Sequence, residues 1–73
     1  MFVAKNDIVR LQAGIKGELI AGNDVFIPKG GKGTVVIVRG NINLPSAYEV
    51  EFFVVEQNNF ALAAVSAELV CEI

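Results

Sequence analysis

Apolar and polar residues in this chain alternate singly or gather in short apolar blocks, and Gly, Asn and Pro separate the blocks. No stretch of ten or more residues carries the 3.6-residue period of an amphipathic helix, so the pattern predicts strands. Residues 7–12 form the first, with Arg10 facing water and Val9 and Leu11 turned inward. Residues 13–33 read as one long loop punctuated by Gly14, Gly17 and Gly22, in which residues 18–20 pair only locally. Pro28 cannot donate to a ladder and marks a strand end or an edge. Residues 29–33 then make a tight, glycine-rich turn. A second strand covers 34–39, a loop covers 40–46, and the clearest strand runs from 47 to 55. Asn58 and Asn59 tolerate the positive φ of a hairpin turn, and residues 60–65 return. Residues 66–69 are expected to form one 3₁₀ turn with Ser66 as its N-cap, ahead of a last strand at 70–73. The prediction is an all-β domain over residues 1–73, a small five-stranded SH3-like barrel.

Side-chain parity singles out one face. Glu49 and Glu51 mark the outward side of the third strand, so Tyr48, Val50 and Phe52 point inward while Phe53 and Val55 stay outside. A hairpin loop of even length then places Phe60, Leu62 and Ala64 outside and turns Ala61, Ala63 and Val65 inward. On the second strand, an outward Arg39 carries Ile37 and Val35 with it. If these strands are neighbours, Val35, Ile37, Phe53, Val55, Phe60 and Leu62 form one exposed apolar patch. Burying each is worth about 1.5–3 kcal/mol. The expected use of such a face is a protein–protein interface, most simply a homodimer.

Composition strengthens that expectation. A chain of 73 residues buries only about 60% of its unfolded surface, and such domains lean on disulfides, metals or self-association. Cys71 is the only cysteine, so no intrachain disulfide forms. The absence of histidine leaves zinc a poor ligand set. Self-association remains, and it fits a hydrophobic content of 53% and a mean hydropathy of +0.54. Six basic against eight acidic residues, a net charge of −2, give no basic stripe for nucleic acid. No apolar run reaches the roughly 18 residues of a membrane span. Residues 1–5 are too short for a signal peptide, which makes the cytoplasm the expected location.

The blocks Asp7-Ile8-Val9-Arg10-Leu11, Ile27-Pro28-Lys29-Gly30, Gly33-Thr34-Val35-Val36, Tyr48-Glu49-Val50-Glu51-Phe52 and Ala67-Glu68-Leu69 follow one another in a distinctive order. In this the chain resembles a bacterial domain-of-unknown-function family, number 4926, of short SH3-like barrels, from about Asp7 to Leu69. Gly33-Thr34-Val35 also resembles the glycine-containing turn of translation-factor and ribosomal SH3-like modules. Asn58-Asn59 stands where that pattern leads one to expect an aspartate-glycine turn. The resemblance implies a fold and brings no catalytic motif.

Individual residues give little chemistry. In residues 28–34, Lys32 is followed by Gly33 and then by a strand, so neither the spacing nor the context of a phosphate-binding P-loop is met. Glu49 and Glu51 alternate with apolar residues and belong to a solvated face. Asp7, Glu18 and Asp24 lie in or near the long loop, where they are placed to ring a pocket. Cys71, between Val70 and Glu72 and close to Ile73, is expected to be a buried small hydrophobe. Ser46 and Ser66 have no histidine base. Tyr48 is the only tyrosine and there is no tryptophan, too few rings for a proline-rich peptide groove. No enzyme activity, cofactor or metal is expected. The leading expectation is a non-catalytic interaction module, either self-associating or an accessory or immunity-like partner of another protein. Two alternatives are an RNA- or ribosome-associated module using Lys29, Lys32 and Arg39, and a small-ligand binder with residues 13–33 as its lid.

Overall fold

The computed structural model describes residues 3–41 and 43–73; Ile42, within the expected 40–46 loop, lies outside them. The strands are β1 (Ile8–Leu11), β2 (Ile15–Leu19), β3 (Asp24–Ile27), β4 (Lys32–Asn41), β5 (Leu44–Val54), β6 (Asn59–Ser66) and β7 (Val70–Glu72). They form one antiparallel sheet in the order β3-β2-β6-β5-β4-β1-β7, curled into a half-barrel. The all-β expectation holds, but the expected five strands are seven. The difference lies in residues 13–33, which are not one long loop. They fold into the β2–β3 hairpin, with Glu18 opposite Asp24 and Lys16 opposite Phe26. β2 then joins the main sheet by pairing Leu19 with Ala61.

Alternation inside the strands builds the core. Val9, Leu11, Val50, Phe52, Ala61 and Val65 are almost completely buried, and Tyr48 joins them. The three inward residues of β6, Ala61, Ala63 and Val65, are small and buried, as suits the interior of a small curled sheet. Gly33 lies in β4 opposite Phe52. A Cβ there would come within 2.6 Å of Val50 Cγ1 and 2.8 Å of the Glu51 carbonyl oxygen, so glycine lets β4 and β5 approach.

A β-bulge corrects one expected outward residue. Val35 pairs with Val50, yet Ile37 pairs with Glu49, leaving Val36 as the extra residue. The bulge reverses parity along β4. Val35, expected on the outer face, is fully buried, while Ile37 stays outside.

Strand ends differ from expectation for local reasons. β4 and β5 continue into the expected 40–46 loop, pairing Gly40 with Pro45 and Asn41 with Leu44. β6 reaches only to Ser66, opposite Ala47, so Pro45 lies where β5 has one neighbour and a missing N–H is tolerated. The β5–β6 connection is a 3₁₀ turn (Val55–Gln57) closed by Asn58 in the left-handed region, φ 48°. Four residues separate the strands, so the even-loop parity survives and Phe53 faces Phe60. The late 3₁₀ turn (Ala67–Leu69) is present, but Ser66 makes no side-chain capping bond. Cys71, expected to be buried, is exposed, because β7 turns Val70 inward and its neighbour outward.

Candidate interaction face

Register across the sheet places the outward residues in rows. One row runs Ile8, Thr34, Glu51, Leu62, Glu18, Asp24 from β1 through to β3. The next row toward the β5–β6 turn contains Arg10, Lys32, Phe53 and Phe60, with Ile20 following as its N–H donates to the Phe60 carbonyl. Phe53 and Phe60 meet edge to face, with ring centroids 5.1 Å apart and planes at 72°. Ile37 lies opposite Glu49, one row from Glu51 and Leu62 on the side away from that turn.

Five of the six sequence-selected residues, Ile37, Phe53, Val55, Phe60 and Leu62, are therefore exposed, at 44%, 49%, 75%, 42% and 45%. Phe53, Phe60 and Leu62 are brought together on β5 and β6, Ile37 flanks them on β4, and Val55 stands in the turn beyond. Val35 drops out. Ile8, exposed at 47% and in the same row as Leu62, takes a place that sequence reasoning missed. The signal was present, since an inward Val9 and Leu11 force Ile8 outward. Ile20 and Phe26, also exposed, were hidden by reading their hairpin as a loop.

Two shallow hollows of about 200 Å³ meet at Phe53 and Lys32, which line both. One extends toward Phe26 and Val55, the other toward Ile8, Glu51 and Phe60. Each is smaller than the roughly 300–1,000 Å³ of small-molecule sites. The surface is a cluster of apolar side chains with Lys32 and Glu51 set among them.

Charges surround this cluster unevenly. Arg39 pairs with Glu49 at 3.1 Å and Lys16 with Asp24 at 3.6 Å, so these four largely cancel. Glu18 on the β2 side, and Lys32 with Arg10 on the β4 and β1 side, make no ion pair with any described residue. Lys29 and Arg10 share a separate hollow with Cys71, whereas Arg39 lies seven residues along β4 from Lys32. The cations proposed for RNA therefore do not form one stripe. Asp7, Glu18 and Asp24 do not ring a pocket. Glu18 and Asp24 are cross-strand neighbours, and the Asp7 carboxylate accepts the Ala4 N–H at 2.8 Å. Glu72 stands beside Asp7. Its carboxyl is raised above the ordinary 4.5, first by a hydrogen bond with Asp7, then by desolvation and by the Asp7 charge. Its Oε1 is shielded from solvent without a hydrogen-bond partner among the described residues, on a side chain that is half-buried.

Among the described residues, no three His, Cys, Asp or Glu side chains gather to hold a metal, and no helix is long and apolar enough to cross a membrane. Comparison with protein-family models, with curated proteins and with solved structures finds no match to this chain.

Proposed function

We propose that this chain is a non-catalytic protein-interaction module of SH3-like type that associates with itself through the outer face of β5 and β6. The observation that carries this reading is the Phe53–Phe60 pair with Ile8, Ile37, Val55 and Leu62 around it. Their exposures leave apolar surface on the order of 500 Å² in the open, taking roughly 150–200 Å² for each whole side chain. A standard interface takes about 800 Å² per partner, of which about 65% is apolar in homodimers. The two quantities match. The resemblance to the domain family of small SH3-like barrels supports the fold type, and the 3₁₀ turn before β7 agrees with it.

Photocrosslinking tests the reading. A benzophenone side chain at Phe53 of the purified protein is expected to give a product of twice the chain mass. The same group at Leu44, 80% exposed at the far hairpin tip, serves as the collision control. Equal yields from both positions, or none from either, count against a specific contact.

A further inference from the structure

Away from the apolar face, we infer that the hollow between β1, β7 and the β3–β4 turn binds a small molecule through an oxyanion, a phosphate or carboxylate group, held by Arg10 and Lys29 with Lys32 beside them.

Two like charges oppose each other at this place. Arg10 pairs with Lys32 across β1 and β4, and both side chains are outward and exposed. The Leu11 N–H donates to the Gly31 carbonyl and the Val35 N–H to the Asp7 carbonyl, each at 2.9 Å. The hydrogen-bonded positions of this ladder are therefore the odd-numbered residues of β1. Arg10 and Lys32 fall between them, in the kind of pair that brings side chains closest. Like charges so placed repel. Among the described residues, neither forms an ion pair with a carboxylate. Glu51 and Glu56 share hollows with Lys32 without pairing with it. On its other side Arg10 faces Cys71, which brings no carboxylate.

Backbone bonds hold a third cation nearby. The Gly30 N–H donates to the Leu11 carbonyl at 2.9 Å, so the β3–β4 turn is pinned to the end of β1. The Gly31 N–H donates to the Pro28 carbonyl at 3.0 Å, and Gly30 takes a φ of 88°, which closes the turn. Lys29, within that turn, lines one hollow with Arg10 and makes no ion pair with a described residue either. Three of the six basic residues of an acidic chain thus collect at one spot. An unrelieved conflict of this kind is the expected mark of a functional site. The hollow measures about 350 Å³, larger than the two beside Phe53 and within the roughly 300–1,000 Å³ of small-molecule sites. Leu11, Gln12, Gly30 and Cys71 complete its wall, which carries no carboxylate. The Arg10 guanidinium offers a planar fork that meets two oxygens of one anion, and Lys29 adds a point charge. Three cations in a spot, with Arg39 far along β4, suit a compact anion better than the track of a nucleic-acid backbone.

Titration with pyrophosphate and with citrate tests the inference, each against sodium chloride of equal ionic strength and followed by backbone-amide NMR. The amides of Leu11, Gly30 and Cys71 are expected to shift saturably, and the anion that binds more tightly assigns the group as phosphate or carboxylate. Arg10→Gln and Lys29→Gln are each expected to weaken binding about tenfold through loss of a charge-assisted contact. Lys16→Gln, which removes a cation already paired with Asp24, is expected to bind as wild type does. Thermal melts supply a second readout. Without added anion, Arg10→Gln is expected to melt no lower than wild type, because the repulsion from Lys32 is gone. The bound anion then raises the melting temperature of wild type more than that of Arg10→Gln. No saturable shift at those amides overturns the inference. So do shifts spread equally to Lys16 and Arg39, or an affinity unchanged in both Arg10→Gln and Lys29→Gln. An Arg10→Gln chain that melts below wild type without anion removes the like-charge conflict and overturns it as well.

Discussion

Phe52 and Phe53 are chemically identical neighbours with opposite roles. Phe52 is 2% exposed against Val50, Ala61 and the rest of the core, whereas Phe53 is half exposed and rests on Phe60. Truncating a buried phenylalanine costs about 3–5 kcal/mol. Phe52→Ala is therefore expected to lose about that much in urea denaturation, and Phe53→Ala only about 1–2 kcal/mol at concentrations where the chain is monomeric. Equal losses would mean that both rings belong to the core. Glu72 gives a second residue-level test. Its carboxyl titrates above the ordinary 4.5 because Asp7 and partial desolvation favour the protonated form. The folded chain then binds this proton more tightly than the unfolded chain. The contribution is complete below the unfolded value near 4.5 and is lost as pH rises through the higher folded value. Stability of Glu72→Gln, followed by thermal melts across that window, is expected to show a flatter pH dependence than wild type. An unchanged slope contradicts the Asp7–Glu72 coupling. Single positions were legible where a charge fixed parity: Arg10 gave Val9 and Leu11, and Glu49 and Glu51 gave the whole inward row of β5. Cys71 was not legible, because its surroundings depend on which strand ends the sheet.

Elements were legible where alternation ran uninterrupted. β1, β6 and β7 lie close to their expected limits, β5 starts three residues earlier than expected, and the even loop between β5 and β6 carried the parity correctly from Phe53 to Phe60. The β2–β3 hairpin was not, because its glycines mimic a loop. Gly17 belongs to β2, and a Cβ there would approach the Leu62 carbonyl oxygen to 3.3 Å. Glycine marks a close strand crossing at that point. The bulge at Val36 was equally silent, since Thr34-Val35-Val36-Ile37-Val38 is apolar on both faces and offers no charge to reveal a change of phase. Of the six residues chosen for the candidate face, that one bulge removed Val35 and left Ile37 in place.

At the level of the molecule, the curled sheet has one concave face filled by the core and one convex face that must meet solvent or another surface. Ten large hydrophobic residues remain exposed among those described, and they are not scattered evenly: Ile8, Phe53, Phe60 and Leu62 fall in two adjoining rows. The proposed second copy, covering those rows, would add to the burial of a chain whose small size limits its own core. Sedimentation equilibrium of the wild type and of Phe53→Glu over a wide concentration range puts this to the most direct test. A reversible dimer is expected for the wild type, and a monomer with an unchanged circular dichroism spectrum for Phe53→Glu. A wild type that remains monomeric at the highest concentrations, and sediments like Phe53→Glu throughout, would contradict it.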